Sequence, residues 1–160
     1  MSKCPKGFSL IELLIVVAVI LIIAAIAIPS FMRSRIAANQ SSAVESLRTM
    51  NTAEATYSVT FGTGYSANLN VLAPPAAGVG PTSTAAGLLD SVLAQGLKSG
   101  YSFVYSAGAP DTSGRITSYS FSANPESSFM GTMYYFTDQS GVIRVNPTTN
   151  AASTDSPLAG

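Results

Sequence analysis

The sequence has 160 residues, of which 47% are apolar and only 10% are charged. A typical soluble chain carries about 25% charged residues, so this composition argues against disorder for most of the chain. Eight basic residues balance eight acidic ones, which leaves no basic surface for nucleic acid. Histidine is absent and Cys4 is the single cysteine, which excludes a Cys/His zinc site, a Ser-His-Asp triad and an internal disulfide.

The apolar residues are concentrated near the amino terminus. Residues 13–28 contain no polar side chain, and the charge-free interval, residues 13–32, lies between Glu12 and Arg33. As a helix it would span roughly 30 Å, the thickness of a bilayer core. A helix that is apolar on every side lies in lipid or inside protein, so the run predicts membrane residence.

Three fates of this run are compatible with the sequence. The first is a secretory signal peptide, cleaved after the small-x-small site at residues 25–27. The second is a permanent single-span anchor. The third is a short leader that is cut off before the run, so that the run is retained. Lys3 and Lys6 precede the run, and their positive charge predicts that this end stays in the cytoplasm.

Glu12 helps to choose among these fates. A carboxylate at the head of an apolar segment costs roughly a few kcal/mol unless it is paired. A signal peptide is degraded after cleavage, so a carboxylate at this position would have no function in it. The alternative is that Glu12 lies at the level of the lipid headgroups, where the cost is small.

Residues 7–12 read Gly-Phe-Ser-Leu-Ile-Glu, and the apolar run and Pro29 follow directly. This pattern resembles the amino terminus of type IV pilins and of the related type II secretion pseudopilins. In that family a short basic leader ends in Gly and is followed by Phe, a hydroxyl residue, Leu, Ile and Glu. The resemblance covers about residues 6–31 and is weaker to about residue 60.

The resemblance implies a processing site and an assembly residue. A membrane-embedded prepilin peptidase would cut between Gly7 and Phe8, and the same enzyme would methylate the new amine of Phe8. Glu12 would neutralise the terminal amine of a neighbouring subunit. Electrostatics is consistent with this role, because opposite charges attract strongly in a low-dielectric core and each charge is costly to bury alone. Such a pair would fix the axial register between subunits.

The resemblance also implies partners and a location. The partners would be further copies of the chain in a helical filament, the peptidase and methyltransferase, and the assembly machinery of a pilus or secretion system. The precursor would span the bacterial inner membrane once, with its amino terminus in the cytoplasm. The assembled chain would lie in a surface pilus or a periplasmic pseudopilus.

Two further residues near the run have structural interpretations. Cys4 would be removed with the leader. Pro29 lacks a backbone donor and clashes with the preceding turn, so it predicts a helix kink or local melting. The alternative for Pro29 is that it ends the membrane helix and that Ser30 caps a new one.

An amphipathic helix is predicted after Pro29. Apolar side chains recur there at helical spacing, with charged residues interspersed. The apolar positions are Ile36, Val44, Leu47, Met50 and Tyr57, and the charged ones are Arg33, Arg35, Glu45, Arg48 and Glu54. The helix is expected to end near Val59, before Gly62 and Gly64.

The rest of the chain predicts loops and a sheet. Residues 62–87 are rich in Gly and Pro and predict a loop, and residues 88–97 predict a short helix. Aromatic and β-branched residues then alternate with polar ones, which predicts an antiparallel meander of about four strands. Its clearest hairpin runs from Tyr135 to Val145, and the polar tail is expected to be irregular.

The predicted fold class is therefore α+β, with a long amino-terminal helix packed against a carboxy-terminal antiparallel sheet, as in pilins. Four segments are expected: a leader (1–7), a hydrophobic transmembrane or filament-core helix (8–32), an amphipathic half of the same helix (33–61), and the loop and sheet of a globular head (62–160). The acidic residues of the head are scattered, so no carboxylate dyad is expected. We expect no catalytic residue, no metal and no cofactor.

Three functions follow in order of preference. The first is a structural subunit of a type IV pilus, which serves adhesion, twitching motility or DNA uptake. The second is a pseudopilin of type II secretion, which has the same processing chemistry. The third, of another class, is a secreted or membrane-anchored protein that forms no filament.

Overall fold

The computed structural model describes residues 7–158. The predicted leader, apart from Gly7, lies outside these residues, and Cys4 with it. The chain divides into two compact units, one ending at Arg35 and the other beginning at Ile36. Helix α1, Leu10–Phe61, contributes residues to both units.

The first unit contains the apolar part of α1. An α-helix pairs its backbone donors and acceptors within one segment, which is what a lipid environment requires. Pro29 lies inside α1, and the helix continues on both sides of it. Two side chains one turn after Pro29 donate hydrogen bonds to backbone carbonyls of the proline turn. Arg33 Nε donates to Pro29 O over 3.4 Å, and Ser34 Oγ donates to Ser30 O over 3.2 Å. A kink at Pro29 stays a prediction.

The end of α1 lies within two residues of the predicted position. The helix ends at Phe61, and Gly62 follows with a φ of +67°. The Gly62 amide still donates to Ser58 O over 3.1 Å, which satisfies one carbonyl of the last turn. Glycine adopts this left-handed conformation without a Cβ penalty, so the sequence signal for the helix end had a physical basis.

The second unit contains a five-stranded antiparallel sheet in the order β1-β2-β3-β4-β5. The strands are β1 Leu97–Lys98, β2 Tyr101–Ala107, β3 Tyr119–Pro125, β4 Tyr134–Asp138 and β5 Arg144–Asn146. The predicted hairpin is present, and Tyr135 lies directly opposite Val145. The two-residue strand β1 is the addition to the predicted four.

The core lies between the sheet and one face of α1. The buried helix positions follow i, i+3, i+4 and i+7 spacing: Ala43, Ser46, Leu47, Met50, Ala53, Glu54 and Tyr57. The buried aromatic residues of the sheet are Tyr101, Phe103, Tyr119, Phe121 and Tyr135. The α+β prediction is confirmed.

The connection between α1 and the sheet is mostly irregular. It contains a 3₁₀ turn, Leu69–Leu72, and helix α2, Ser91–Ala94. The predicted helix at 88–97 is therefore present as a single turn only. It is short because the amides of Leu88 and Leu89 both donate to Leu72 O, at 3.0 and 2.9 Å, and Gly96 has a φ of +77°.

Residues 147–158, the described part of the tail beyond β5, contain no helix or strand, as predicted, but they are anchored to the sheet. Val145 N donates to Ser156 O over 3.1 Å, and Leu158 N donates to Ile143 O over 2.8 Å. These bonds cover the β5 edge, which would otherwise present unpaired backbone groups to other chains.

Candidate functional site

Glu12 is engaged at the start of helix α1. The backbone amide of Ser9 donates to Glu12 Oε2 over 3.0 Å, and Leu13 N donates to Ser9 O over 3.3 Å. This is the carboxylate half of a capping box, with Ser9 at the cap and Glu12 at the third helical position. The carboxylate also lies at the positive end of the helix dipole. The fold therefore holds Glu12 over the amino-terminal end of the helix.

The Gly7–Phe8 peptide bond lies just before the helix, in an exposed segment. The Phe8 side chain is 75% exposed, and a Cβ placed on Gly7 would have no neighbour within 4 Å. Space alone therefore does not require glycine at position 7 in the precursor.

The apolar part of α1 is uncovered. Its large aliphatic side chains between Leu13 and Ile28 are 45–73% exposed. Within residues 7–158, α1 is the one helix long and apolar enough to cross a membrane. Burial of apolar surface is worth about 25 cal/mol per Å². An exposed apolar helix of this length therefore needs lipid or other protein chains around it.

A second polar site, not anticipated from the sequence, lies in the core of the head. The Glu54 side chain is fully buried. Its Oε2 accepts from Ser66 N over 2.9 Å, and its Oε1 accepts from Ser66 Oγ over 2.6 Å. The hydroxyl of Tyr105 donates to Ser66 O over 2.6 Å. The carboxylate therefore ties the residues after α1 to the helix, and Tyr105 ties them to the sheet.

Burial controls the protonation of this site. Desolvation raises the pKa of Glu54, and the hydrogen bonds from Ser66 oppose that shift in part. Desolvation also raises the pKa of Tyr105 and of Tyr119, and the Glu54 carboxylate adds to both shifts. The two phenols therefore remain protonated donors at neutral pH. Tyr119 Oη donates to Asn51 Oδ1 over 3.2 Å, which extends the polar layer along the helix.

The Glu54 site has the features of a structural contact. Within the described part of the chain, no group of three or more His, Cys, Asp or Glu side chains is placed to hold a metal ion. Both Glu54 oxygens are used by Ser66, and the side chain has no solvent access. Its chemistry is to accept hydrogen bonds and fix a loop.

The structure brings three of the predicted residues together and separates the fourth. Gly7, Phe8 and Glu12 lie within one short segment around the start of α1, whereas Pro29 lies inside the helix. Glu54 was grouped with the charged residues of the helix and is instead buried. Its spacing from Leu47, Met50 and Tyr57 places it on the apolar face, and this was the signal in the sequence.

Comparison with known proteins extends these observations. Residues 2–28 match the family model described as the prokaryotic N-terminal methylation motif. The chain is 48% identical over 52 residues to the type IV major pilin protein PilA of Myxococcus xanthus (strain DK1622). That alignment covers 32% of this chain and 24% of the relative, so the match spans about a quarter of the relative's length. No solved structure matches the chain significantly.

The fold and the amino-terminal segment define an α+β protein with a membrane-type apolar helix that carries a methylation motif. The two matches support the type IV pilin family for this chain. The motif and the apolar helix together support a membrane-anchored precursor.

Proposed function

We propose that this chain is the precursor of a type IV pilus subunit with a structural rather than a catalytic role. In this proposal a prepilin peptidase cuts between Gly7 and Phe8 and methylates the new amine of Phe8. The apolar helix leaves the membrane and forms the filament core, and the head forms the filament surface. Similarity to a major pilin favours the pilus over the secretion pseudopilus.

The observation that carries the proposal is an uncovered apolar helix headed by a single carboxylate. Lipid covers the aliphatic side chains in the precursor, and the same side chains of neighbouring subunits would cover them in a filament. Neither environment hydrates Glu12 well. A new ammonium group at Phe8 of a neighbour would neutralise it.

The geometry at the helix start supports this role for Glu12. The bond from Ser9 N holds the carboxylate toward the amino-terminal end of the helix, the side on which the processed amine would lie. Because a charge pair in a low-dielectric core is strongly distance-dependent, it would favour one axial offset between subunits over the others. A Glu12 pair would therefore act as a register device.

Deletion of the gene in its native host tests the choice of system. A pilus subunit predicts loss of long surface fibres that contain this chain at high copy number, with secretion unchanged. Loss of secretion from a host whose surface fibres are unaffected would instead assign the chain to a type II secretion pseudopilus. A soluble, processed monomer beginning at Ile28 would indicate a secreted protein that forms no filament.

A further inference from the structure

The two edges of the sheet are covered to different extents. At the β5 edge the tail runs alongside the strand, and Arg144 and Pro157 form an antiparallel bridge. At the opposite edge, strand β1 has two residues, which pair only with Tyr101 and Ser102 of β2. Strand β2 continues beyond them to Ala107. The second half of β2 therefore lies at an edge that no described strand covers.

Backbone groups of β2 point alternately toward β3 and toward this open edge. Phe103 N donates to Gly96 O, on the β1 side, over 2.7 Å, whereas Gly108 N donates to the residue before β3 over 2.8 Å. Because the direction alternates along an antiparallel strand, Tyr105 and Ala107 face the same way as Phe103. Their backbone N–H and C=O groups have no hydrogen-bond partner within residues 7–158.

A groove lies beside these free backbone groups. Its volume is about 400 Å³, and Tyr105 and Ala107 form part of one wall. Residues 67–70 and 94–96 also line it, and none of the described lining residues carries a charge. Because a strand rises by roughly 3.4 Å per residue, residues 105–107 offer roughly 10 Å of free edge.

The side chains around the groove are suited to an uncharged peptide. The side-chain amides of Asn70 and Gln95 line the groove, and an amide can both donate to and accept from a peptide backbone. Val104 lies on the face of β2 opposite to the buried Phe103 and is 54% exposed. An aliphatic side chain on a strand paired with β2 would pack against Val104.

We propose that the open edge of β2 binds an extended, uncharged segment of a partner protein, which adds a strand to the sheet. Main-chain hydrogen bonds supply the affinity of such sites, and contacts with alternate side chains supply the specificity. Charged residues are disfavoured in the segment, because a buried charge without a partner is costly.

The tail of this chain already pairs with its own β5 edge, so the segment at β2 comes from a different protein. The site uses none of the residues of the proposed function and is tested independently of it.

Amide hydrogen exchange of the full-length chain in detergent micelles, followed by NMR, tests the site. The probe is an acetylated and amidated hexapeptide of alternating threonine and valine, at millimolar concentration. Without the peptide, the amides of Tyr105 and Ala107 should exchange at least tenfold faster than the hydrogen-bonded amide of Phe103. The peptide should slow exchange at Tyr105 and Ala107 at least fivefold and leave Phe103 within twofold.

Two controls distinguish backbone pairing from non-specific binding of an apolar peptide. The same hexapeptide with all its internal amides N-methylated cannot donate hydrogen bonds and should give no protection. Ala107→Pro removes the N–H that faces the groove, at an edge where proline is tolerated, whereas Ala107→Val keeps it. Peptide binding, measured by protection of the Tyr105 amide, should weaken at least tenfold in Ala107→Pro and stay within twofold of the wild type in Ala107→Val.

Several results would overturn the proposed pairing. They are a hexapeptide that slows neither amide, equal protection by the methylated peptide, equal binding to the two Ala107 variants, and amides of Tyr105 and Ala107 already protected in the free chain. Protection that appears without peptide and grows with protein concentration would assign the edge to a second copy and overturn the partner proposal. If Ala107→Pro fails to fold, the methylated peptide alone decides.

Discussion

Glu54 and Ser66 form a double hydrogen bond in the core of the head, from the Ser66 amide at 2.9 Å and from its hydroxyl at 2.6 Å. The pair joins α1 to the first residues of the connection that follows it. A carboxylate is an acceptor-only group when ionised, and here two donors from a single residue satisfy one oxygen each. The burial of Glu54 is thus compensated locally.

The first prediction concerns this pair. Glu54→Ala leaves the Ser66 amide without its acceptor, while the Ser66 hydroxyl keeps a bond of 3.2 Å to Asn68 O. A buried unsatisfied group costs about 1–3 kcal/mol. We expect the free energy of unfolding to fall by that amount, measured by denaturant titration of the full chain in detergent micelles. Ser66→Ala removes one donor and should cost less.

The double variant Glu54→Ala/Ser66→Ala closes a thermodynamic cycle. Residues in direct contact couple by about 0.5–3 kcal/mol, so the two losses should not add. Additive losses would show that the two side chains act independently and would contradict the described geometry.

The second prediction is a pH dependence. The folded-state pKa of Glu54 is raised above its ordinary value of 4.5 because burial disfavours the charged form. Folded Glu54 therefore holds its proton at a pH where the unfolded chain has lost it. Its contribution to stability is fully present below pH 4.5 and is lost as the pH rises through the folded-state pKa.

Comparison with Glu54→Gln isolates this effect. Asp90 and Asp111 have lowered pKa values, chiefly through hydrogen bonds from Leu93 N and from the Ser113 hydroxyl respectively, and so have the opposite pH dependence. Asp90 and Asp111 are present in both chains, so their contribution cancels in the difference in unfolding free energy between the wild type and Glu54→Gln. That difference should fall as pH rises above 4.5, and a flat difference would contradict the raised pKa.

The third prediction concerns the core. Leu47 is fully buried between α1 and the sheet, whereas Val59 on the same helix is 87% exposed. Leu47→Ala should lower the free energy of unfolding by about 2–5 kcal/mol, because it removes apolar contacts and leaves a cavity. Val59→Ala is the matched control and should change stability by less than about 0.5 kcal/mol. Equal effects at the two positions would place the core elsewhere.

The fourth prediction concerns Glu12. Glu12→Ala should be processed and inserted into the membrane normally but should fail to build filaments, since the register pair is lost. Western blots of membrane and sheared-fibre fractions separate these steps. Glu126→Ala, which removes an exposed carboxylate of the head, should assemble normally. Normal fibres from Glu12→Ala would end the register argument.

Sequence reasoning reached most of the fold because local signals agreed with the tertiary structure. Gly62 adopts the left-handed conformation that ends α1, and alternating aromatic residues placed β2 to β4 correctly. The β4–β5 hairpin also followed from its turn sequence at residues 138–141, which lies between Tyr135 and its partner Val145.

The failures came from contacts distant in sequence. The helix at 88–97 is shortened because Leu88 and Leu89 bind Leu72, and no local pattern contains that information. The sequence identified Glu54 only as one of the charged residues of the helix, and its burial could not be predicted because its hydrogen-bond donor, Ser66, lies twelve residues later. At the amino terminus the roles of Gly7, Phe8 and Glu12 stay predictions from the motif, whereas the bond from Ser9 to Glu12 is seen in the structure alone.

The most direct test of the central claim is the mass of the amino-terminal peptide of the protein isolated from its native host. The proposed function predicts a peptide that begins at Phe8 and carries one methyl group on its amine. A peptide that begins at Ile28 would show ordinary secretion and would contradict the filament account. An intact Met1 on all of the protein would show that no prepilin processing occurs and would contradict it as well.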